Sequence, residues 1–254
     1  MGAGHAHPLH LGHDSPLHRL PPEVKIVATL LFTIVVVITP RAEFAAFAGY
    51  ALLLAAVAAL ARVPPLWLAK RTTIELPFVL LAVALPFAGH GERVQWLGLS
   101  LSVDGLYGAW NIAAKGTLGV LASLLLAATT TTRDIILGLD ALRCPQVFTQ
   151  IATFMLRYLD ILVDDARRMR VARLSRGYDP RFLWQVKAFA VGVGALFIRS
   201  YERGERVYLA MRSRGYTGRL PRPDTAAVAT AADWVRSAVL PVLAGGIALL
   251  AVFA

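Results

Sequence analysis

Two copies of one short motif stand out in this chain because their residue types and spacing suggest binding chemistry. The first copy is Ser175, Arg176 and Gly177, and the second is Ser213, Arg214 and Gly215. The copies are offset by 38 residues, and in each a tyrosine follows the glycine, with a further arginine three positions later. The guanidinium group of arginine is a planar fork that binds paired carboxylates, whereas the ammonium group of lysine is a point charge. The residue types of the motif therefore suit two arginine heads for binding carboxylates of a partner.

The sequence contains no recognisable catalytic or cofactor-binding set. A Gly-x-x-x-x-Gly-Lys-Ser/Thr phosphate loop, a His-Glu-x-x-His pair and paired Cys-x-x-Cys motifs are all absent from the 254 residues. Ser175 and Ser213 have no histidine base near them in sequence, and a serine beside a glycine is more typical of a helix end than of a nucleophile. We therefore expect a protein that is not an enzyme, holds no cofactor and has no dedicated metal site.

Histidines are concentrated in the polar segment 1–23, which holds five of the six: His5, His7, His10, His13 and His18. Clustered imidazoles can ligate cobalt, nickel or zinc. The spacing is loose, and Pro8 and Gly12 interrupt it, which favours a flexible polar tail. A transient metal-collecting role is the alternative interpretation.

Positive charge is concentrated in the stretch 157–219. This stretch holds 14 of the 26 Lys and Arg residues and 6 of the 16 acidic ones, so its net charge is +8 and that of the remaining chain is +2. The charge is therefore a local feature around the twin motifs and not a property of the whole protein.

The composition predicts an all-α integral membrane protein. Hydrophobic residues make up 57% of the chain and charged residues 17%, and the apolar residues are gathered in runs at 24–39, 44–61, 74–88, 109–128 and 234–253. A spanning helix needs about 17–25 residues, so we expect about five transmembrane helices. Arg62, Lys70 and Arg71 lie between the second and third runs without an acid, so the positive-inside rule places that loop in the cytoplasm. The amino terminus and the basic stretch then lie on the same side.

The segment between the two motifs bears on this topology. Residues 186–198 are apolar, but these 13 residues are too few to cross a bilayer. If they crossed, one basic cluster would be exported against the charge rule. We expect the segment to lie along the membrane surface or against other helices. Region 147–163, which carries Arg157 and Asp160, predicts an amphipathic helix.

Each motif also predicts a helix end. Gly177 and Gly215 suit the left-handed residue that follows a helix, and Pro180 and Pro221 block its continuation. Arginine near a helix end is common because it complements the helix dipole, but two identical endings on basic helices favour docking to a partner protein. Attraction to anionic lipid is a competing use of the charge. A nucleic-acid binder would need more aromatic stacking groups than the two tyrosines supply.

At these residues the chain resembles the transmembrane coupling (T) components of energy-coupling factor transporters, of the cobalt-uptake CbiQ type. Members of that family carry two short Ala/Ser-Arg-Gly motifs at the ends of cytoplasmic coupling helices, which residues 175–177 and 213–215 match. The flanks agree: Leu17-His18-Arg19-Leu20 with Pro22 and Lys25 before the first run, and Thr131-Thr132-Arg133-Asp134 with Pro145 after the fourth. The similarity runs from about residue 15 to the end.

The resemblance implies a multi-pass protein of the cell inner membrane that connects a substrate-capture membrane subunit to a pair of cytoplasmic ATP-binding-cassette ATPases. Arg176 and Arg214 would each enter a groove on one ATPase subunit and meet acidic residues there. The implied function is coupling in ATP-driven uptake of cobalt or a related divalent metal. The alternative is a self-contained permease whose basic cytoplasmic face only binds anionic lipid.

We expect four regions. They are a His-rich polar tail at 1–23, transmembrane helices 1–4 at 24–134, a cytoplasmic coupling region with amphipathic helices at 135–222 and a C-terminal transmembrane helix at 223–254. The expected partners are ATPase subunits, a substrate-capture subunit and membrane lipid, and not nucleic acid.

Overall fold

A computed structural model of the chain describes residues 9–12, 15–88, 93–96, 99–178, 186–218 and 229–253. Within these residues the chain forms α1 (Pro22–Ile38), α2 (Phe44–Leu60), α3 (Pro65–Arg71), α4 (Leu76–Ala88), α5 (Val103–Thr129), α6 (Thr132–Ala141), α7 (Gln146–Ser175), α8 (Val186–Ser213) and α9 (Ala231–Phe253). A 3₁₀ turn, Thr72–Glu75, precedes α4. The antiparallel strands β1 (Arg93–Trp96) and β2 (Leu99–Ser102) pair with Arg93 opposite Ser102.

The predominantly helical class is confirmed, and the β1–β2 hairpin is a short addition that the apolar runs do not predict. Helices α1, α2, α4, α5 and α9 coincide with the five predicted runs. Among the described residues, α5 and α9 are long and apolar enough to cross a bilayer, and α2 is a shorter apolar helix. Helix α1 has 17 residues and α4 has 13. The number of membrane crossings stays a prediction.

The chain divides into two compact units. The bundle unit holds residues 9–142 and 227–254, and the two-helix unit holds residues 1–8 and 143–226. The described helices of the bundle unit are α1 to α6 and α9, and those of the two-helix unit are α7 and α8.

The core of the bundle unit is built from one face of each of four helices. Helix α1 packs against α5, α6 and α9, and α2 packs against α5 and α9. The buried side chains at these contacts include Phe32 on α1, Tyr50 on α2, Leu118 on α5 and Ala244 on α9. The fully buried Tyr50 hydroxyl lies 2.8 Å from the hydroxyl of Thr39, so its polar group is satisfied inside the apolar core.

The two long helices correct one detail of the sequence interpretation. The apolar segment 186–198 is not a separate element, because it continues without a break into the second basic segment as the 28-residue helix α8. A change from apolar to charged side chains does not interrupt the backbone hydrogen-bond ladder, and no proline occurs in α8 to interrupt it. Within the apolar half, Gly192 lies against α7, since a Cβ placed on it would lie 3.7 Å from Cε of Met169, whereas Phe189 and Phe197 are exposed.

Candidate docking site

Helix α7 ends in a Schellman motif at the first Ser-Arg-Gly sequence. The backbone N–H of Tyr178 donates to the carbonyl of Arg173 (3.2 Å), and the N–H of Gly177 donates to that of Leu174 (2.9 Å). Gly177 has a φ of +75°, in the left-handed region that glycine adopts without a steric penalty. The predicted helix end is therefore confirmed, and these two bonds satisfy carbonyls that the helix itself leaves open.

Helix α8 ends with the same arrangement at the second Ser-Arg-Gly sequence. The N–H of Tyr216 donates to the carbonyl of Met211 (3.0 Å), and the N–H of Gly215 donates to that of Arg212 (3.1 Å). Gly215 has a φ of +86°. Every one of these positions is displaced by 38 residues from its counterpart in α7, so the sequence repeat is also a repeat of backbone geometry. We call residues 175–178 the first tip and residues 213–216 the second tip.

The two motif serines contribute to these helix ends. The hydroxyl of Ser175 donates to the carbonyl of Ala172, and the hydroxyl of Ser213 donates to that of Ala210, each at 3.0 Å. Because each hydroxyl proton is directed at the backbone one turn earlier, the serines help to fix the helix end from which the neighbouring arginine projects.

The motif arginines are exposed at both tips. Within the described residues, neither the Arg176 guanidinium nor the Arg214 guanidinium makes a hydrogen bond or an ion pair. The later arginines of the repeat, Arg181 and Arg219, and the prolines Pro180 and Pro221 lie outside the described residues. Each tip therefore presents a charged fork on a backbone that is held by its own hydrogen bonds.

Contacts at one end of α7 place the two tips far apart. The hydroxyl of Tyr216 donates to Oε1 of Gln150 (2.8 Å), and Nε2 of Gln150 donates to the carbonyl of Gly218 (2.9 Å). Gln150 lies in the first turns of α7, so the second tip is beside the beginning of the helix whose other end carries the first tip. At 1.5 Å per residue, Arg176 lies about 40 Å from Gln150 along α7. The two arginines therefore project from opposite ends of an antiparallel helix pair.

An ion pair joins the two helices between these ends. Nη2 of Arg203 on α8 lies 3.1 Å from Oδ2 of Asp165 on α7, and the side chains are only 32% and 21% exposed. This pair was not predicted from the sequence. A signal was present, because Asp165 and Arg203 occupy equivalent positions of the 38-residue repeat with opposite charges.

The tip glycines carry a testable consequence. Replacing Gly177 or Gly215 with alanine is expected to cost about 1–2 kcal/mol at that helix end, because a Cβ is unfavourable at a positive φ. Neither position has an atom within 4 Å of the added Cβ, so the cost is conformational only. Amide hydrogen exchange at Tyr178 or Tyr216 should then become roughly 5- to 30-fold faster. Gly204→Ala is the matched control, because Gly204 lies in the interior of α8 and a Cβ added to it also has no atom within 4 Å. If amide exchange at Tyr178 and Tyr216 were unchanged in the Gly177→Ala and Gly215→Ala variants, the Schellman interpretation would be contradicted.

The flanking motifs of the sequence analysis meet within the bundle unit. The hydroxyl of Thr131 accepts from the N–H of Asp134 (3.1 Å) and donates to its carboxylate (2.6 Å), which caps the start of α6. Nζ of Lys25 donates to the carbonyl of Thr129 (2.9 Å) at the end of α5 and lies 3.4 Å from that of His18. Their role in this structure is therefore to position helix ends.

The described histidines of the amino-terminal segment contact each other. Nε2–H of His18 donates to the carbonyl of Leu11 (3.1 Å), so Nδ1 is the acceptor for the hydroxyl of Ser15 (2.7 Å). Burial lowers the pKa of His18 below its ordinary value, which favours this neutral form. His10 packs edge-on against the same ring at 5.9 Å. Both nitrogens of His18 are engaged by protein atoms and are not open to a metal ion in this arrangement.

The described part of the chain does not bring together enough metal-ligating side chains for a metal site. It contains no group of three or more His, Cys, Asp or Glu side chains that could hold a metal ion. His5, His7 and His13 lie outside the described residues, so the metal-collecting interpretation of the tail stays a hypothesis.

Comparison with known proteins supports the resemblance found in the motifs. The family described as Cobalt transport protein (CbiQ) matches residues 13–225. The energy-coupling factor transporter transmembrane protein EcfT of Thermanaerovibrio acidaminovorans is 29% identical, over 93% of both chains. The protein of the same name from Heliobacterium modesticaldum is 28% identical over 81% of both chains, and that of Bacillus subtilis is 26% identical over 80% of this chain and 82% of its own. Since the family match covers most of the sequence and includes both tips, the chain belongs to the CbiQ family of cobalt transport proteins, whose members are membrane components of transporters.

Proposed function

We propose that this protein is the coupling subunit of an ATP-driven energy-coupling factor importer for cobalt or a related divalent metal ion. It binds two cytoplasmic ATP-binding-cassette ATPase subunits through its two tips and a substrate-capture membrane subunit through its remaining surface. Closure of the ATPase pair moves α7 and α8, and this movement tilts the capture subunit so that it releases the metal ion inward.

The observation that carries the proposal is the repetition of the tip geometry. An identical Schellman ending with an exposed arginine occurs twice, at opposite ends of one antiparallel helix pair. Two equal sites suit two equal partner subunits.

The chemistry of the tips favours an acidic groove as the binding partner. Each exposed guanidinium can donate two parallel hydrogen bonds to a carboxylate. The serine and glycine beside it fix the local backbone, so less conformational freedom is lost when the complex forms. Arg176 and Arg214, with Ser175, Gly177, Ser213 and Gly215 as their supports, form the proposed docking site.

A second function is favoured by the charge of the basic stretch. A permease that works alone would use the net +8 of residues 157–219 only to bind anionic lipid. Lipid attraction depends on the number of charges near the surface and requires no particular helix end. The geometry shared by the two tips therefore supports the coupling function more directly than the charge supports the permease.

The proposed membrane arrangement uses the five apolar helices α1, α2, α4, α5 and α9 as spans of the cell inner membrane. In chain order, the polar tail at 1–23 is followed by four spans within residues 24–134. Residues 135–222 then form the cytoplasmic coupling region, and residues 223–254 supply the fifth span. The supporting features are the apolar runs and the basic loop that holds Lys70 and Arg71.

The decisive experiment is purification of the protein in mild detergent from its native membrane, followed by identification of every co-purifying subunit. We expect two ATPase subunits and a capture subunit for each copy of this chain. The purified chain alone, reconstituted in vesicles, should take up no cobalt, whereas the complete complex should do so when ATP is added. Uptake by the chain alone would contradict the proposal and support the permease.

A further inference from the structure

The first turn of α1 buries two charged residues in the bundle unit. Glu23 and Lys25 are each only 8% exposed. A buried charge is costly unless polar partners compensate it, so the partners of these two residues indicate what the turn is built to hold.

Glu23 binds the backbone of the segment that precedes α9. Its Oε1 accepts from the backbone N–H of Ala229 at 3.1 Å, although the two residues are 206 positions apart in sequence. The next residue, Thr230, precedes α9, and its backbone N–H and its hydroxyl both donate to Oδ2 of Asp233 in the first turn of that helix (3.0 and 2.6 Å). Glu23 thus fixes the chain where it enters α9 from the two-helix unit, which ends at Ala226.

Lys25 and Gly138 lie at the connection that leads from the bundle unit into residues 143–226. Lys25 binds the carbonyl of Thr129, the final residue of α5, where a cation complements the negative helix end. Gly138 of α6 lies directly against the first turn of α1. A Cβ on Gly138 would lie 2.9 Å from Cδ1 of Ile26, 3.0 Å from the backbone nitrogen of Glu23 and 3.1 Å from the carbonyl carbon of Pro22. Helix α6 leads to Arg143, the first residue of the segment 143–226 that contains α7 and α8.

We infer that the first turn of α1 is the anchor through which movement of α7 and α8 reaches the membrane helices. Both connections between residues 143–226 and the bundle unit are fastened to this turn, one through Gly138 and the other through Glu23. Glu23, Lys25 and Gly138 are positioning residues, since they act on the transmitted movement and touch neither ATP nor metal. The inference rests on the proposed coupling function and identifies where in the bundle that coupling is received.

The test uses the full chain reconstituted with its ATPase and capture subunits, with ATP hydrolysis and cobalt uptake measured in the same vesicles. Gly138→Ala forces the backbone of α6 away from Glu23 and Pro22. We expect this variant to bind the ATPase subunits and hydrolyse ATP, with cobalt uptake per ATP reduced by about fivefold or more. Gly116→Ala is the matched control, because Gly116 lies in a bundle helix, α5, with no atom within 4 Å of the added Cβ; its uptake per ATP should equal that of the wild type.

A second pair of variants separates anchoring from mere folding. Glu23→Ala removes the acceptor for the N–H of Ala229 and should lower uptake per ATP in the same way. In a Cys144→Ser background, the Glu23→Cys/Ala229→Cys double variant should regain uptake when a short bifunctional thiol reagent joins the two positions. Normal uptake per ATP in both Gly138→Ala and Glu23→Ala, or no recovery after cross-linking, would overturn the inference. Failure of the wild-type chain to bind ATPase subunits would instead contradict the proposed function.

Discussion

The Arg176→Ala/Arg214→Ala double variant is expected to lose co-purification with the ATPase subunits while it still inserts into the membrane. A hydrogen bond to a charged group contributes roughly 1.5–3 kcal/mol, so each lost guanidinium should weaken binding at its own tip about 10- to 150-fold. Both side chains are exposed, and the Schellman bonds at the tips use only backbone groups. The helices should therefore keep their ends, and pull-down of tagged ATPase subunits from detergent extracts measures the effect directly.

The control for this experiment is the Arg168→Ala/Arg206→Ala double variant. These arginines are exposed, lie on the same two helices and have the same 38-residue offset. Because each double variant removes two arginines, the loss of positive charge is equal. Docking predicts that only the tip variant loses the ATPase subunits. Lipid binding predicts instead that both variants, purified in detergent, bind less anionic lipid and to the same extent, and that neither changes ATPase recovery. Full ATPase recovery by the tip variant would leave the docking site without support.

The parts of the structure that could be predicted from the sequence are those set by local chemistry. Long apolar runs indicate helices α1, α2, α4, α5 and α9, because each run is long enough to bury one helix face or to face lipid. Gly177 and Gly215 indicate the ends of α7 and α8, because glycine is the residue that adopts a positive φ at no steric cost. Helix α6 could have been found in the same way, since Thr131 and Asp134 have the spacing of a capping box.

The parts that could not be predicted depend on residues that are distant in sequence. The contact of Glu23 with Ala229 and the close approach of Gly138 to Pro22 follow from tertiary packing, and no periodicity in the chain indicates them. The continuity of α8 was missed because its halves differ in composition, although composition alone does not end a helix. For the docking site, local geometry explains the tips, whereas their separation by the length of α7 depends on the pairing of Gln150 with Tyr216.

Removal of the Arg203–Asp165 ion pair should change the distance between the two tips, while the fraction of helical residues should stay nearly the same. This pair joins α7 and α8, which also approach each other at Met169 and Gly192. In Arg203→Ala the Asp165 carboxylate, whose side chain is 21% exposed, loses its counter-charge, at a cost of about 1–3 kcal/mol. A partly buried polar pair between two helices can also specify their register, and this role is separable from stability.

The Arg203→Met/Asp165→Leu double variant separates these two effects. Apolar side chains of similar length should restore much of the stability lost in Arg203→Ala, because no unpaired charge remains in the contact. The register should not be restored, because apolar side chains tolerate several axial alignments of α7 and α8. Spin labels attached through Tyr178→Cys and Thr217→Cys in a Cys144→Ser background report the separation of the tips. We expect a narrow distribution near 40 Å with the native pair and a broader one in the double variant.

The control for the ion pair is Arg199→Ala, which removes one exposed positive charge from the same helix and should leave the distance distribution unchanged. If register is what the two ATPase subunits require, the Arg203→Met/Asp165→Leu variant should bind one tip at a time. Its ATPase recovery should then fall although both tip arginines are intact. A narrow distribution near the native distance in that variant would show that apolar packing alone sets the spacing. The pair would then contribute stability only, and the spacing of the docking sites would have to be attributed to the contacts of Gln150 with the second tip.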